Sequence, residues 1–91
     1  MLASPAHADD LCKGSQRGAP IDLDVKDADI QDVFRLIADA GNVNLVTSDE
    51  VRGKLTLKLQ RVSWQAAACT VAKLEHLALS FDNGILLVTK R

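Results

Sequence analysis

The 91 residues of this chain leave room for one small domain, and a composition of 47% hydrophobic and 25% charged residues is that of a globular chain rather than a disordered one. The formal net charge of −1 excludes a global positive field that would attract nucleic acid or anionic membranes. An aromatic content of 3% argues against a base-stacking surface, and no apolar run approaches the roughly 18 residues that a membrane-spanning helix needs.

The first twenty residues are predicted to lie outside the folded domain. Residues 1–8 contain Ala6-His7-Ala8, which fits the small-x-small end of a secretory signal, although the positive start and apolar core of such a signal are missing. These residues are therefore predicted to be a signal remnant or an addition to the natural chain. Residues 9–20 contain Gly14, Ser15, Gly18 and Pro20 and few apolar residues, which predicts a flexible arm carrying Cys12. The folded domain is predicted to span residues 21–91.

The first predicted strand begins at residue 21. Ile21, Leu23 and Val25 alternate with Asp22 and Asp24, the period of two that is typical of a strand with one buried face. The alternation points the two carboxylates outward, toward solvent.

A helix is predicted from Ile30, with Asp29 as its N-cap and Asp32 completing an approximate capping box. At 100° per residue its apolar side chains spread over roughly 200° of the helix surface, whereas a helix on a single sheet needs an arc nearer 100°. These side chains are Ile30, Val33, Phe34, Leu36, Ile37, Ala38 and Ala40. The helix is therefore predicted to be covered on two sides. Gly41 is predicted to be the left-handed residue that ends it.

Two further strands are predicted next. Val43, Leu45 and Val46 begin the second strand, and a polar turn closed by Gly53 separates it from the third. In the third strand, leucines alternate with polar residues over positions 54–60, so this strand also has one solvated face. The polar positions are Lys54, Thr56, Lys58 and Gln60.

Ser63 is predicted to cap a second helix that starts at Trp64 and ends near Glu75 or His76. One side of this helix is apolar and is predicted to face the core. The residues on that side are Trp64, Ala67, Val71 and Leu74.

The dipeptide Asn83-Gly84 is the strongest short hairpin signal in the chain, and it joins the last two predicted strands. The order of elements is therefore βαββαββ. This order, with a first helix that needs cover on two sides, predicts an α+β fold in which two helices are packed between two small β-sheets. The first and third strands are predicted to share a sheet.

The two cysteines predict a disulfide. Cys69 lies roughly 160° from Val71, the centre of the buried side of the second helix, and a free cysteine is unusual on such an outward side. Cys12 is its only possible intramolecular partner, and in an oxidising compartment the bond would staple the arm across the helix. In the chain-entropy model this link contributes about 4 kcal/mol at most. The alternative is two free thiols. Small residues of the helix could leave room for the arm, namely Ala66, Ala68 and Ala72.

No residues show the spacing of a catalytic, metal or cofactor site. The aspartates between positions 22 and 32 lack the glycine and terminal glutamate of a calcium-binding EF-hand loop. Zinc-ligand spacing, a phosphate-binding loop and a serine with a histidine partner are also missing from the sequence. The chain is therefore predicted to be no enzyme and to need no cofactor, metal, nucleic acid or small-molecule substrate. The remaining interpretation of the sequence is a binding or assembly module.

A series of segments spread over residues 20–89 matches a known family in order and spacing. The segments are Ile21-Asp22-Leu23-Asp24-Val25, Ala28-Asp29-Ile30, Asp32-Val33, Leu36-Ile37-Ala38, Asn44-Leu45-Val46, Leu55-Thr56-Leu57, Val62 with Trp64 and Ala67, and Asn83-Gly84. Together they resemble the secretin and TonB N-terminus short domain. Within that family, the entry to the second helix looks most like the secretins of type IV pilus machines, although Ser63 stands where the family normally has proline.

The resemblance implies a periplasmic, non-catalytic domain on the N-terminal side of an outer-membrane secretin. Its implied partners are other subunits of a secretin ring and an inner-membrane pilus or secretion protein such as a PilP-like lipoprotein. The polar positions of the first and third strands are the predicted interaction surface, comprising Asp22, Asp24, Lys54, Thr56 and Lys58. Two alternatives are a signalling domain of a TonB-dependent transducer and a stand-alone periplasmic adaptor.

Overall fold

The computed structural model describes residues 20–91 together with Cys12, so the predicted signal remnant and most of the predicted arm lie outside the described residues. In chain order the elements are β1 (Ile21–Asp29), α1 (Ile30–Gly41), β2 (Asn44–Thr47), β3 (Lys54–Val62), α2 (Trp64–Glu75), β4 (Leu77–Asp82) and β5 (Ile85–Lys90). The predicted α+β fold and its βαββαββ order are confirmed.

The five strands form two separate sheets. β1 and β3 pair antiparallel in a two-stranded sheet, so the prediction that the first and third strands share a sheet is confirmed. In the three-stranded sheet β5 is central, with β2 parallel on one side and β4 antiparallel on the other. The parallel pair aligns residues 44–47 with residues 85–88, so it joins the middle of the chain to its end.

The core is formed by the two helices and the inward sides of both sheets. Each helix contacts one strand of each sheet: α1 contacts β1 and β2, while α2 contacts β3 and β4. The two helices also contact each other. The largest fully buried side chains are Phe34, Ile30, Ile37, Leu86, Val33, Val51, Val71 and Val88. The cover on two sides that was predicted for α1 is therefore present.

The buried arc of α1 is nevertheless narrower than predicted. Leu36 is 49% exposed and Ala40 is also exposed, although both were assigned to the apolar arc. The side chains that are buried span about 140° at 100° per residue. They are Ile30, Val33, Phe34, Ile37 and Ala38.

α1 begins as predicted but ends differently. The Oδ1 atom of Asp29 accepts a hydrogen bond of 3.1 Å from the backbone N–H of Gln31, which is the predicted N-cap. The helix continues through Gly41, and the left-handed residue is Asn42, with a φ of 56°. The prediction that Gly41 supplies the left-handed residue is therefore wrong. Asparagine is one of the few residues other than glycine that adopt this conformation, since its short polar side chain is able to hydrogen-bond locally.

Gly41 is required instead by its contact with Trp64, the first residue of α2. A Cβ atom on Gly41 would lie 2.6 Å from Cγ of the indole, well inside van der Waals contact. The same ring meets Phe81 of β4 edge-on, with 5.2 Å between ring centroids. A residue without a side chain thus lets the end of α1 approach the start of α2.

α2 is turned relative to its predicted orientation. Leu74, which was assigned to the core, is 57% exposed, whereas Ala68 and Ala72 are buried. The centre of the buried side therefore lies on the Ala68 side of Val71. The prediction for Leu74 is wrong because the small alanine side chains allow close approach on their side of the helix, which turns the leucine outward.

Two other local predictions are confirmed. The Oγ atom of Ser63 accepts a 3.0 Å hydrogen bond from the N–H of Ala66 and caps α2. In the hairpin between β4 and β5, Asn83 and Gly84 have φ angles of 54° and 76°. Positive φ at both central positions is what a type I′ turn requires.

Candidate functional site

The polar residues predicted to form an interaction surface lie together on the outer side of the two-stranded sheet. They are Asp22, Asp24, Lys54, Thr56 and Lys58, and all five are exposed. The strand register places Asp24 opposite Lys58, while Lys54 is opposite Asp29. The alternating apolar side chains of the same strands pack against the core. We call this surface of five residues the charged face.

A β-bulge interrupts β1 toward the end of the sheet where Asp29 pairs with Lys54. Lys26 and Asp27 together oppose the single residue Thr56, and Asp27 has a φ of 50°. The backbone N–H of Asp27 donates a 3.0 Å hydrogen bond to Oγ1 of Thr56. The threonine hydroxyl therefore satisfies a backbone donor at the place where the strand ladder is disrupted.

A second bulge lies on β3, near the other end of the sheet. Gln60 and Arg61 together oppose Asp22, and Arg61 has a φ of 56°. The backbone N–H of Arg61 donates a 2.8 Å hydrogen bond to Oδ1 of Asp22. Each strand thus carries one extra residue, so the two irregularities compensate and the apolar side chains keep to the core side at both ends.

The five residues of the charged face therefore divide into two kinds. Asp22 and Thr56 close the bulges, whereas Asp24, Lys54 and Lys58 extend from the sheet. The sequence analysis did not predict the bulges. A bulge is defined by the pairing register between two strands, whereas period-two alternation describes each strand by itself. An aspartate at position 27 tolerates positive φ, which is a weak signal, but an arginine at position 61 offers none.

The predicted disulfide between Cys12 and Cys69 is present. Their Cα atoms are 5.7 Å apart, and the two residues are separated by 57 positions in sequence. Cys69 is half-buried on the outer side of α2, and Cys12 is exposed. The bond thus ties the chain ahead of β1 to the outside of α2.

A groove of about 630 Å³ lies beside the disulfide. The described residues that line it are Cys12, Ala66, Cys69, Thr70, Lys73 and Leu74. Of the three alanines predicted to leave room for the arm, Ala66 lines this groove beside Cys12, whereas Ala68 and Ala72 are buried in the core. The hydroxyl of Thr70 donates a 2.8 Å hydrogen bond to the carbonyl of Ala66 within the helix. Among its described lining residues, Lys73 is the one cation.

The described part of the chain contains no cluster of three or more His, Cys, Asp or Glu side chains that could hold a metal ion. None of its helices combines the length and the apolar character needed to cross a membrane. His76 adopts a left-handed conformation with a φ of 58° and caps α2 through its backbone N–H, which donates to the carbonyl of Ala72.

Sequence comparison finds pilus proteins among the relatives of this chain, although no protein-family model matches it. The chain is 41% identical over 71 residues to the fimbrial assembly protein PilQ of Pseudomonas aeruginosa, covering 78% of this chain and 10% of that protein. It is 32% identical over 74 residues to the type IV pilus biogenesis and competence protein PilQ of Neisseria meningitidis, covering 81% and 10%. The chain thus spans about a tenth of the length of these relatives.

Solved structures show the same fold. The N0 domain of the type II secretin from enterotoxigenic Escherichia coli superposes with a TM-score of 0.72, covering 81% of this chain and 98% of that one, at 16% identity. The type IV competence pilus secretin PilQ of V. cholerae superposes with a TM-score of 0.66 at 34% identity, covering 75% of this chain and 16% of that one. The first likeness concerns the fold alone, whereas the second extends to sequence.

Proposed function

This chain is homologous to the N-terminal domain of type IV pilus secretins, and we propose that it works as a non-catalytic docking module in the periplasm, within an outer-membrane secretin. The proposed partner is an inner-membrane pilus or secretion protein, such as a PilP-like lipoprotein. Self-association in a secretin ring belongs to the same proposal, since the relatives include a type IV competence pilus secretin.

The charged face is the observation that supports docking. It presents charges of both signs from two strands, with Asp24 opposite Lys58 in the register. The two closed bulges fix those strands relative to one another. A fixed pattern of charges gives a partner orientation and register more than raw affinity. Such a surface is suited to selecting one partner among many periplasmic proteins.

Charge reversal at the charged face tests this proposal. The variants Lys54→Glu and Lys58→Glu are expected to bind the soluble part of the cognate pilus lipoprotein about tenfold more weakly in calorimetry. Both lysines are exposed, so the free energy of unfolding should change by no more than about 0.5 kcal/mol. Lys90→Glu is the matched control, since Lys90 is an exposed lysine at the end of a strand in the other sheet. Unchanged affinity in both face variants would remove the charged face as the docking surface.

Membership of a ring requires a separate experiment on the native protein. An antibody blot of the outer-membrane fraction, with and without harsh denaturation, should show a very large band that collapses only after that treatment. A soluble periplasmic band near the mass of this chain would instead mean a stand-alone adaptor. That result would disprove membership of a secretin ring, whatever the lipoprotein measurements show.

A further inference from the structure

The outer side of the three-stranded sheet exposes large apolar side chains, unlike the charged face. The register of the three strands places eight residues on this side: Asn44, Val46, Ala78, Ser80, Asp82, Ile85, Leu87 and Thr89. Three of them are large and partly exposed, with 49% of Val46, 40% of Ile85 and 38% of Leu87 accessible to solvent. Asp82 is the only charged residue of the eight. We call this surface the apolar face.

The hairpin fixes which backbone groups of β4 bond to β5. The two residues that flank a two-residue turn, here Asp82 and Ile85, form a hydrogen-bonded pair, and such pairs recur at every second residue of an antiparallel ladder. The backbone N–H of Arg91 donates to the carbonyl of His76 at 3.4 Å, six positions from Asp82. This bond follows the same alternation beyond the end of the strand.

The intervening residues of β4 are Leu77, Leu79 and Phe81. Their N–H and C=O groups therefore point away from β5, toward the outer edge of the sheet. β4 is the terminal strand in the order β2-β5-β4, and no other strand that the structure describes pairs with it. The edge thus presents a row of three backbone donors and three acceptors.

Within the described residues, β4 itself lacks three devices that commonly protect an edge strand. Lysines, bulges and prolines commonly block edge-to-edge pairing. β1 and β3 contain lysines and two bulges, whereas β4 pairs with β5 in unbroken register and contains neither lysine nor proline. The outward side chains beside the edge, Ala78 and Ser80, are small. Leu87 on the neighbouring strand therefore remains partly exposed behind them.

We propose that the edge of β4 binds an extended segment of another protein, which adds a fourth strand to the three-stranded sheet. Alternate residues of that segment are apolar and large enough to reach across Ala78 and Ser80 to Leu87, as diagonal neighbours on a sheet do. A basic residue of the segment lies near Asp82. Since β4 itself contains no lysine or arginine, pairing with a second copy would bring no fixed cation there. The proposal is independent of the docking role of the charged face.

Amide hydrogen exchange tests the added strand directly. The probe is a synthetic peptide of sequence Thr-Val-Thr-Val-Thr-Val-Thr-Lys, titrated into the isotope-labelled full chain and followed by NMR. At saturation the amides of Leu77, Leu79 and Phe81 are expected to exchange at least about tenfold more slowly, because each gains a hydrogen-bond partner. The amides of Ala78 and Ser80 should change little, because they already bond to β5.

Two variants connect the binding to the residues named. Asp82→Lys is expected to weaken binding of the peptide about three- to tenfold, and a peptide ending in glutamate should recover that loss. Ser80→Lys should abolish binding by placing a charge beneath the added strand. Lys58→Glu, on the charged face, is the matched control and should leave the affinity for the peptide unchanged.

Three results would overturn the proposal. The first is a saturating peptide concentration that slows none of the three amides. The second is protection confined to β1 and β3. The third is a dimer of the chain alone that protects the same three amides without peptide, which would make a second copy the occupant of this edge. A lipoprotein measurement at the charged face has no bearing on any of these outcomes.

Discussion

The two sheets share one core, but their outer surfaces differ in chemical character. The two-stranded sheet exposes charges and carries two bulges, each closed by a side chain of the facing strand. The three-stranded sheet exposes Val46, Ile85 and Leu87, and its register is unbroken. Because burial determines only the inward half of each strand, the outward half is available for contacts. The contrast therefore suggests two surfaces, one that orients a partner by charge and one that accepts a strand.

Removal of the disulfide is expected to have the largest effect on stability, and to affect the two sheets unequally. The double variant Cys12→Ser/Cys69→Ser should lose about 3 kcal/mol of unfolding free energy in urea titration, since the bond closes a long loop. Cys12 precedes β1 in the chain. Loss of the bond should therefore raise the hydrogen-exchange rates of β1 amides more than those of β5 amides. Each single variant should match the double variant, because either one removes the link. A loss below about 1 kcal/mol would contradict the expected contribution.

Gly41→Ala is expected to have the next largest effect on the free energy of unfolding, and to destabilise both sheets. The new methyl group would meet the indole of Trp64 at 2.6 Å, and overpacking of this kind costs about 2 kcal/mol even after the better helix propensity of alanine. The fluorescence of Trp64, the single tryptophan, reports the change in urea titration. Ala40→Ser, at the exposed neighbouring position, is the control. If Gly41→Ala were as stable as the parent chain, the close approach of the helices would be disproved.

Substitutions at the bulges should affect the two-stranded sheet alone. Thr56→Val and Asp22→Ala each remove the acceptor of one backbone hydrogen bond and should cost about 1 kcal/mol. The two losses should add, because the bulges lie at different ends of the sheet. Asp24→Ala is the matched control and should change the unfolding free energy by less than about 0.5 kcal/mol. Equal losses in all three variants would mean that the two side chains do not close the bulges.

The smallest expected effect concerns the apolar face. Leu87→Thr should alter the unfolding free energy by about 0.5 kcal/mol or less, because the side chain is partly exposed and threonine favours strands. Leu86→Thr, one residue earlier and fully buried, should cost about 3 kcal/mol in the same thermal or urea experiment. A large loss at Leu87 would show that the fold itself requires the apolar face, and the contrast between the sheets would then say nothing about partners.

Features that depend on near neighbours in sequence were predictable. The caps at Asp29 and Ser63 and the Asn83-Gly84 turn are each specified within a few residues, and each is present. The charged face also followed from sequence, because strand alternation alone decides which side chains point outward. Pairing of β1 with β3 then brought its five residues together.

Features that depend on tertiary contacts were not predictable in the same way. The role of Gly41 comes from an indole that is distant in sequence, and the exposure of Leu74 follows from the packing of the alanines beside it. The apolar face requires knowledge that β2 lies parallel to β5, which no local pattern encodes. The bulges likewise exist only as a relation between two strands.

The central position of β5 has a consequence for the order of folding. β5 follows the other described elements of the domain, yet both β2 and β4 depend on it for their ladders. The three-stranded sheet therefore cannot assemble until residues 85–90 are available, whereas β1 can pair with β3 as soon as residue 62 is available. The pairs of β2 with β5 are all 41 positions apart in sequence, against 25 to 41 for the pairs of β1 with β3, so the parallel pairing has the larger mean separation and is expected to form more slowly. A ribosome-released chain cut before Ile85 would be left with two unpaired strands and a tendency to aggregate.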